Sequence, residues 1–249
     1  MSKYPKYPIL KVRDDADNFH HKVSDLFDTP FKLLLSSKSQ HGMGKTSIIV
    51  NLLANPKFPY SKMFKGENIY IISNNELDNK LDALSKALDI PDENREVFDV
   101  NHLDALYDDL EDQFKEAQME GTKIPNFLII FDDVGFDGGL ANRSVKENII
   151  NKLVCNGRHV NISTIFSVQK YSQANTTLRS QLTGAILGKT SAKEIDLIAD
   201  DLNYFKKKQT FINMFRDATK SKRGFLVVNF TNDESPYMNS KFEPIFIEE

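Results

Sequence analysis

The sequence contains a single cysteine, Cys155, and no tryptophan among its 249 residues. One cysteine cannot form an internal disulfide, so the sequence excludes a disulfide-stabilised secreted scaffold and fits a reducing compartment. No run approaches the ~18 consecutive apolar residues of a transmembrane helix, and we therefore expect no membrane span. The formal net charge of −3 excludes a generally basic nucleic-acid coat, although it is compatible with a local basic channel.

The clearest motif that is present lies between residues 31 and 50. A short apolar run at residues 33–35 passes into a loop of small residues that ends Gly42-Met-Gly44-Lys45-Thr46, and an apolar-rich segment resumes at Ile48. A strand, a loop and the beginning of a helix follow one another here, which is the context of a P-loop. The backbone N–H groups of such a loop point inward to bind phosphates. We therefore predict a nucleotide-binding loop with ATP as its ligand.

Each residue type in this loop has a predicted role. Lys45 is expected to reach the β- and γ-phosphates, and the Thr46 hydroxyl is expected to ligate Mg²⁺. The full pattern G-x-x-x-x-G-K-[ST] has glycine where this chain has Ser39, a small residue that the loop tolerates wherever φ stays negative. The predicted nucleotide contacts are Ser39, Gln40, His41, Gly42, Met43, Gly44, Lys45, Thr46 and Ser47.

Strands and helices alternate along the rest of the chain. Strands are predicted at residues 69–73, 97–100, 127–131, 160–168, 185–188 and 224–230, and helices at 45–54, 76–88, 102–120, 144–155 and 192–205. This alternation is typical of a three-layer α/β P-loop NTPase with a mostly parallel central sheet. We expect one domain over residues 1–249, with an arm at 1–30, an ATPase core at 31–230 and a polar tail from 231 that wraps the surface.

The strongest predicted strand, at residues 127–131, is followed by two carboxylates, Asp132 and Asp133. Its apolar residues do not alternate with polar ones, which indicates a strand buried on both faces of a parallel sheet. Ligands bind at the carboxyl ends of such strands, so we expect both carboxylates beside the P-loop as a Walker B element. We assign Asp132 to the Mg²⁺ shell and Asp133 to activation of the attacking water.

A third polar side chain, Gln169, follows the predicted strand at residues 160–168. An amide at this position is suited to orienting water or reporting on the γ-phosphate. A polar sensor strand after the Walker B strand is the arrangement of ATPases that insert an extra strand between the P-loop and Walker B strands. We therefore expect that extra strand in the sheet.

The segment at residues 156–169, Asn156-Gly-Arg-His-Val-Asn-Ile-Ser-Thr-Ile-Phe-Ser-Val-Gln169, is followed by Leu178-Arg179. This pattern resembles the genome-packaging ATPases of nucleocytoplasmic large DNA viruses and virophages, which belong to the FtsK–HerA superfamily. The Phe-Asp-Asp-Val segment at residues 131–134 is similar to their Walker B element. The resemblance covers about residues 31–200, and Ser39 is its main departure.

The resemblance implies a homo-oligomeric ring that hydrolyses ATP with Mg²⁺ and drives double-stranded DNA of any sequence into a preformed capsid. It also implies a capsid vertex or portal component as partner, in the viral factory of the host cytoplasm, with the virion as a second location. Ring ATPases of this kind place an arginine of one subunit at the γ-phosphate of its neighbour. Arg158 is the first candidate for this arginine finger, and Arg179 is the second.

Contacts to DNA are weakly marked in the sequence. The densest basic clusters, at residues 206–208 and 220–223, are suited to DNA phosphates but are explained equally well as solvated surfaces. No helix-turn-helix, zinc or RNP motif is evident, so sequence-specific recognition is not expected.

Two alternatives share the P-loop and Walker B elements. One is a helicase or helicase loader, and the other is a nucleotide-binding assembly factor that does not hydrolyse ATP, since Asp133 stands where many such ATPases have glutamate.

Overall fold

Eight strands form one sheet in the computed structural model of the protein. The structure describes residue 19 and residues 21–23, 26–38, 43–73, 79–134, 143–232 and 236–247, with the backbone alone at residues 80 and 143–148. The strands are β1 (Lys32–Ser36), β2 (Ile69–Ser73), β3 (Arg95–Val97), β4 (Phe127–Asp132), β5 (Ile162–Val168), β6 (Gly184–Gly188), β7 (Phe225–Asn229) and β8 (Tyr237–Met238).

The strand order is β3-β2-β4-β5-β1-β6-β7-β8. All pairings from β3 to β6 are parallel, and β7 and β8 extend the sheet in antiparallel pairings. Every residue of β1, β5 and β6 is buried, as expected for parallel strands covered on both faces. Because β5 lies between β1 and β4, the predicted extra strand between the P-loop and Walker B strands is confirmed.

Helices cover both faces of the sheet. They are α1 (Lys45–Ala54), α2 (Asn79–Ala87), α3 (Val100–Glu120), α4 (Arg143–Asn156), α5 (Thr176–Ser180), α6 (Ala192–Leu202) and α7 (Lys208–Ala218). Apolar residues of α1 and α2 form one core cluster with Ile130, whereas those of α3 to α7 form the other with Phe131 and Phe166. The predicted three-layer α/β fold with a mostly parallel sheet is therefore confirmed.

Several boundaries differ from the predicted ones. The predicted strand at residues 97–100 is wrong, because β3 ends at Val97 and Asp99 is the N-cap of α3. The Asp99 carboxylate accepts hydrogen bonds from the backbone N–H of His102 at 3.1 Å and of Asn101 at 2.8 Å, and these bonds lower its pKa. A capping aspartate thus favours a helix start where the apolar neighbours indicated a strand. Residues 76–78 of the predicted helix at 76–88 lie outside the described residues.

The C-terminal segment departs most from its prediction. Instead of wrapping the surface, Tyr237 and Met238 are buried as β8. The Tyr237 hydroxyl donates a hydrogen bond to Leu202 O at 2.7 Å and accepts one from the Tyr204 N–H at 2.8 Å, and burial raises its pKa to about 12. A strand of two residues is too short to show alternation of apolar and polar residues, so the polar residues around it led to the prediction of a surface tail.

The amphipathic helix α7 was not predicted at all, although four of its residues, Phe211, Ile212, Met214 and Phe215, are buried. Within the described part of the chain, no helix combines the length and the apolar character needed to cross a bilayer.

Candidate active site

The predicted nucleotide site lies at the edge of the sheet where β1, β4 and β5 end. Ser36, the last residue of β1, is in register with Val168, the last residue of β5. Asp132, the last residue of β4, is in register with Ser167 of the same strand β5. The chain segments that follow these three strands therefore begin side by side at one edge of the sheet, as the parallel topology requires.

The described part of the P-loop consists of residues 43–47, whereas Ser39, Gln40, His41 and Gly42 lie outside the described residues. Gly44 has a φ of 82°, in the left-handed region that favours glycine, and its carbonyl accepts the first helical bond of α1, from Ile48 N at 3.0 Å. Helix α1 begins without a side-chain cap and without an acidic residue in its first turn. Its N-terminal N–H groups and positive dipole end thus form an anion-binding position.

Lys45 interacts with both predicted carboxylates. Its ammonium group donates a hydrogen bond to Ser37 O at 3.0 Å. Burial lowers the pKa of Lys45, while the negative charges of Asp133 and Asp132 act against this shift. The structure therefore brings the P-loop lysine and the Walker B carboxylates into one electrostatic site.

Asp132 and Asp133 leave β4 in different directions. Phe131 stacks on Phe166 in the α3–α7 layer, with ring centroids 4.7 Å apart, so the next residue, Asp132, is directed to the α1 face by the strand alternation. Beside it, the Ser167 hydroxyl is buried and has no hydrogen-bond partner among the described residues. Asp133 has a left-handed backbone, with φ of 52°, and its N–H donates to Ser167 O at 3.0 Å.

Gln169 contacts Asp133 directly. Its amide nitrogen donates to both carboxylate oxygens of Asp133, at 3.1 Å and 2.8 Å. The backbone of Gln169 is fixed in turn by Gln173, whose side-chain oxygen accepts hydrogen bonds from the N–H groups of Gln169 and Lys170, each at 2.9 Å. Gln169 is therefore held at both its side chain and its main chain.

Two residues at this edge were not singled out from the sequence. Gln173 ends the short turn Tyr171–Gln173, and its side-chain oxygen accepts the N–H of the N-cap residue Lys170 at 2.9 Å. This is one half of a capping box, because a lysine side chain has no acceptor for the other half. Gly188 ends β6 beside the P-loop, and a Cβ there would lie 2.7 Å from Ser37 Cβ and 3.2 Å from Met43 Sδ. The sequence signal for Gly188 was only a glycine at the end of a predicted strand.

The two candidate finger arginines have different surroundings. Arg158 is exposed in the turn Gly157–Val160 that precedes β5, with its Nε 3.3 Å from His159 Nε2. The pKa of Lys32, the first residue of β1, is lowered first by burial and then by the charge of Arg158. Arg158 thus lies near the start of β1, at the edge opposite the P-loop.

Arg179 is held within its own subunit. Its side chain is 15% exposed, and Nε lies 2.9 Å from Asp201 Oδ2 in an ion pair that lacks hydrogen-bond alignment. The guanidinium also donates to Ala174 O at 3.0 Å and lies 5.5 Å from the ring centroid of Tyr171. These contacts give Arg179 a structural role and favour Arg158 as the exposed candidate.

The predicted basic clusters lie in two different places. Lys208 begins α7 and forms an ion pair with Asp200 at 2.5 Å. Lys220 and Lys222 line a small cavity of about 180 Å³ together with Lys189 and the P-loop residue Met43. Their role as DNA contacts stays a prediction.

A P-loop, two carboxylates at the end of β4 and a glutamine at the end of an inserted β5 define a P-loop NTPase of the extra-strand class. The chain belongs to the Poxvirus A32 protein family, which it matches over residues 18–236. This match confirms the resemblance to viral packaging ATPases of the FtsK–HerA superfamily. No curated protein matches the chain.

Solved structures that this chain resembles come from a virus and a bacterium. The genome packaging NTPase B204 from Sulfolobus turreted icosahedral virus 2, in complex with sulfate, is 14% identical and matches 88% of this chain and 99% of its own, with a TM-score of 0.52. The structure of B204 in complex with AMP is 13% identical in sequence and covers 88% of this chain and 97% of its own, with a TM-score of 0.50. EssC (ATPases 2 and 3) from Geobacillus thermodenitrificans is 14% identical with a TM-score of 0.48, over 64% of this chain and 32% of that structure. This chain therefore spans about a third of the EssC structure.

Proposed function

We propose that this chain is the ATP-hydrolysing motor that moves double-stranded DNA into a viral capsid. The observation that carries the proposal is the meeting of Lys45, Asp133 and Gln169 at one edge of the sheet, beside Asp132. Membership of the Poxvirus A32 family supports it, as does the fold shared with B204, a genome packaging NTPase.

The residues at this edge fit ATP and Mg²⁺. The N-terminus of α1 and the Lys45 ammonium would bind the β- and γ-phosphates. The Thr46 hydroxyl and the Asp132 carboxylate are the hard oxygen donors that Mg²⁺ prefers, and phosphate oxygens and water complete such sites. When bound, Mg²⁺ would neutralise charge on the phosphates.

Asp133 is the residue that we assign to activation of water. The two hydrogen bonds from the Gln169 amide occupy both Asp133 carboxylate oxygens, which a water molecule would otherwise approach. A γ-phosphate beside Gln169 would offer the amide an alternative acceptor and leave the Asp133 oxygens to water. Gln169 would thus report the γ-phosphate by releasing the catalytic carboxylate.

The position of Arg158 supports our proposal that the subunits assemble into a ring. Its exposed guanidinium lies at the edge opposite its own P-loop, where a head-to-tail contact would bring it to a neighbour's nucleotide. Double-stranded DNA would be contacted through its phosphates, without reading its sequence. The remaining partners that we propose are a capsid vertex or portal component, in the viral factory of the host cytoplasm and in the virion.

Nucleotide turnover tests the proposal. The wild type should hydrolyse ATP only with Mg²⁺. Long duplex DNA of any sequence should stimulate turnover, and this stimulation should weaken as the salt concentration rises. Lys45→Ala should weaken ATP binding about 10-fold or more, because a charge-assisted contact is lost. Lys57→Ala, which removes an exposed lysine just after α1, is the matched control and should behave as wild type.

Other results would favour the alternatives. ATP binding without any hydrolysis, with or without DNA, would support a nucleotide-dependent assembly factor. Duplex unwinding without movement along intact duplex would support a helicase. Hydrolysis that survives Lys45→Ala unchanged would contradict the P-loop assignment itself.

A further inference from the structure

A cavity of about 530 Å³ opens beside the first two turns of α1. We call it the side pocket. Its walls come from four parts of the chain: the P-loop with α1, the segment around Phe58, the region from Ser221 to Phe225, and the C-terminal turn at residues 240–242. It therefore exists only because the C-terminal segment folds back next to the phosphate-binding loop.

The side pocket lies next to the proposed phosphate site. Met43 and Ser47 line it, and these residues flank Gly44, Lys45 and Thr46 on either side. Any nucleotide whose phosphates bind at the N-terminus of α1 must direct its sugar and base away from that end. The side pocket adjoins it directly and is large enough for a nucleoside.

One wall of the side pocket is aromatic. Phe242 meets Phe58 edge-on with ring centroids 5.3 Å apart, and it meets Phe225 in the same way at 5.9 Å. Flat heteroaromatic rings bind well against such clusters, because stacking and edge contacts are available without a fixed hydrogen-bond pattern.

The turn that carries Phe242 is preformed. Phe242 has a φ of 62°, which is unusual for a large side chain, and its N–H donates to Asn239 O at 2.9 Å. The Asn239 side chain accepts hydrogen bonds from the N–H of Lys241 at 2.8 Å and of Glu243 at 3.2 Å. The turn thus holds Phe242 in a left-handed backbone conformation. Strained residues of this kind occur at ligand sites.

The charge of the side pocket suits an anionic ligand. Arg223 and Lys241 line it, and no carboxylate is among the described residues of its wall. Hydroxyl and amide groups of Ser47, Asn51 and Ser240 add hydrogen-bonding groups of the kind that a ribose requires.

We propose that the side pocket binds the ribose and base of the nucleotide, with Phe242 as the aromatic contact and Arg223 as the nearby cation. This inference rests on the proposed function, because it assumes that the phosphates bind at Lys45. It assigns to the C-terminal turn a direct part in nucleotide affinity. Recognition would come from stacking and shape.

The test compares two ligands that share phosphates but differ in the nucleoside. Binding of ATPγS and of inorganic tripolyphosphate, both with Mg²⁺, is measured by calorimetry. Phe242→Ala should weaken ATPγS about 5- to 100-fold, the range for loss of one base–aromatic contact, and leave tripolyphosphate unchanged. Phe246→Ala removes an exposed phenylalanine four residues later and is the matched control, with no effect on either ligand.

A second variant covers the case in which Phe242→Ala does not fold. Asn51 is exposed on α1 at the pocket wall, so Asn51→Trp should be tolerated and should fill the pocket. It should weaken ATPγS but not tripolyphosphate. Because the chain has no other tryptophan, its fluorescence should also report nucleotide binding.

The outcomes separate this inference from the proposed function. If the wild type binds neither ligand and does not hydrolyse ATP, the proposed function fails. If ATPγS binds through Lys45 but Phe242→Ala and Asn51→Trp weaken both ligands equally or neither, the nucleoside lies elsewhere. An effect of both variants on oligomer formation alone would assign the pocket to a neighbouring subunit and overturn the proposal.

Discussion

Replacing Arg158 by alanine should abolish turnover without weakening ATP binding. Arg158 and Gln169 stand beyond opposite ends of β5, Ile162–Val168, and seven residues of a parallel strand span about 20 Å. Such a separation exceeds the reach of an arginine side chain, so Arg158 cannot serve the nucleotide beside its own Gln169. An arginine supplied from a neighbour is worth about 10³- to 10⁵-fold in rate, or about 4–7 kcal/mol of transition-state stabilisation.

The assay mixes two inactive variants. Arg158→Ala retains an intact P-loop, and Lys45→Ala retains an intact arginine, so a mixed ring should contain some interfaces at which both are present. Turnover should partly return on mixing, with a maximum at intermediate ratios. Arg216→Ala, which removes an exposed arginine of α7, is the matched control and should hydrolyse ATP as the wild type does.

Two results would refute this reasoning. One is a mixture that stays inactive although the variants demonstrably assemble together, and the other is full wild-type activity in a monomer. Arg179→Ala provides a further contrast, because Arg179 pairs with Asp201 in its own subunit. Arg179→Ala should lower the free energy of unfolding by about 1–3 kcal/mol. Mixing Arg179→Ala with Lys45→Ala should not raise turnover in the way expected for Arg158→Ala.

Substitutions at three further residues, Asp133, Gln173 and Gly188, test the site itself. Asp133→Asn should bind ATP normally and lose about 10²- to 10⁴-fold in turnover, as expected for a lost base, whereas Asp133→Glu should retain activity. Gln173→Ala should reduce turnover about 10-fold at unchanged ATP affinity by freeing the sensor main chain, and Gln173→Glu should rescue it by restoring an acceptor oxygen. Gly188→Ala should lower the free energy of urea unfolding by about 1–3 kcal/mol, because its Cβ would meet Ser37 Cβ at 2.7 Å. Gly157→Ala, whose Cβ would have its nearest contact at 3.5 Å, is the control and should be near neutral.

Much of the site could be predicted because its residues follow strands of a parallel sheet. The P-loop is contiguous in sequence, so its chemistry can be identified without the fold. Asp133 and Gln169 lie 36 residues apart, yet both follow buried strands, and parallel strands end at the same edge. The rule for sheet edges therefore predicted that the carboxylates lie beside the P-loop, whereas the contact between Asp133 and Gln169 was not predicted.

The contacts themselves could not be predicted, because they depend on local backbone geometry. Asp133 reaches Gln169 from a left-handed conformation, which aspartate adopts only occasionally. Gln173 accepts hydrogen bonds from the N–H groups of Gln169 and Lys170, and the turn around Phe242 depends on N–H groups that donate to the Asn239 side chain. Antiparallel β7 and β8 bring that turn to α1, and β8 is too short to leave a pattern in the sequence.

The inserted strand β5 connects the two halves of the proposed mechanism. It is buried along its whole length and hydrogen-bonded to β1 on one side and β4 on the other, so its ends cannot move independently without breaking both ladders. The Gln169 end contacts the Asp133 carboxylate, and the Arg158 end is exposed at the opposite edge. A ring that couples neighbouring sites needs a rigid element with a polar group at each end, and a strand covered on both faces meets that need better than a loop or a surface helix. On this argument the insertion of β5 between the P-loop and Walker B strands fixes the distance over which one subunit can act on the next.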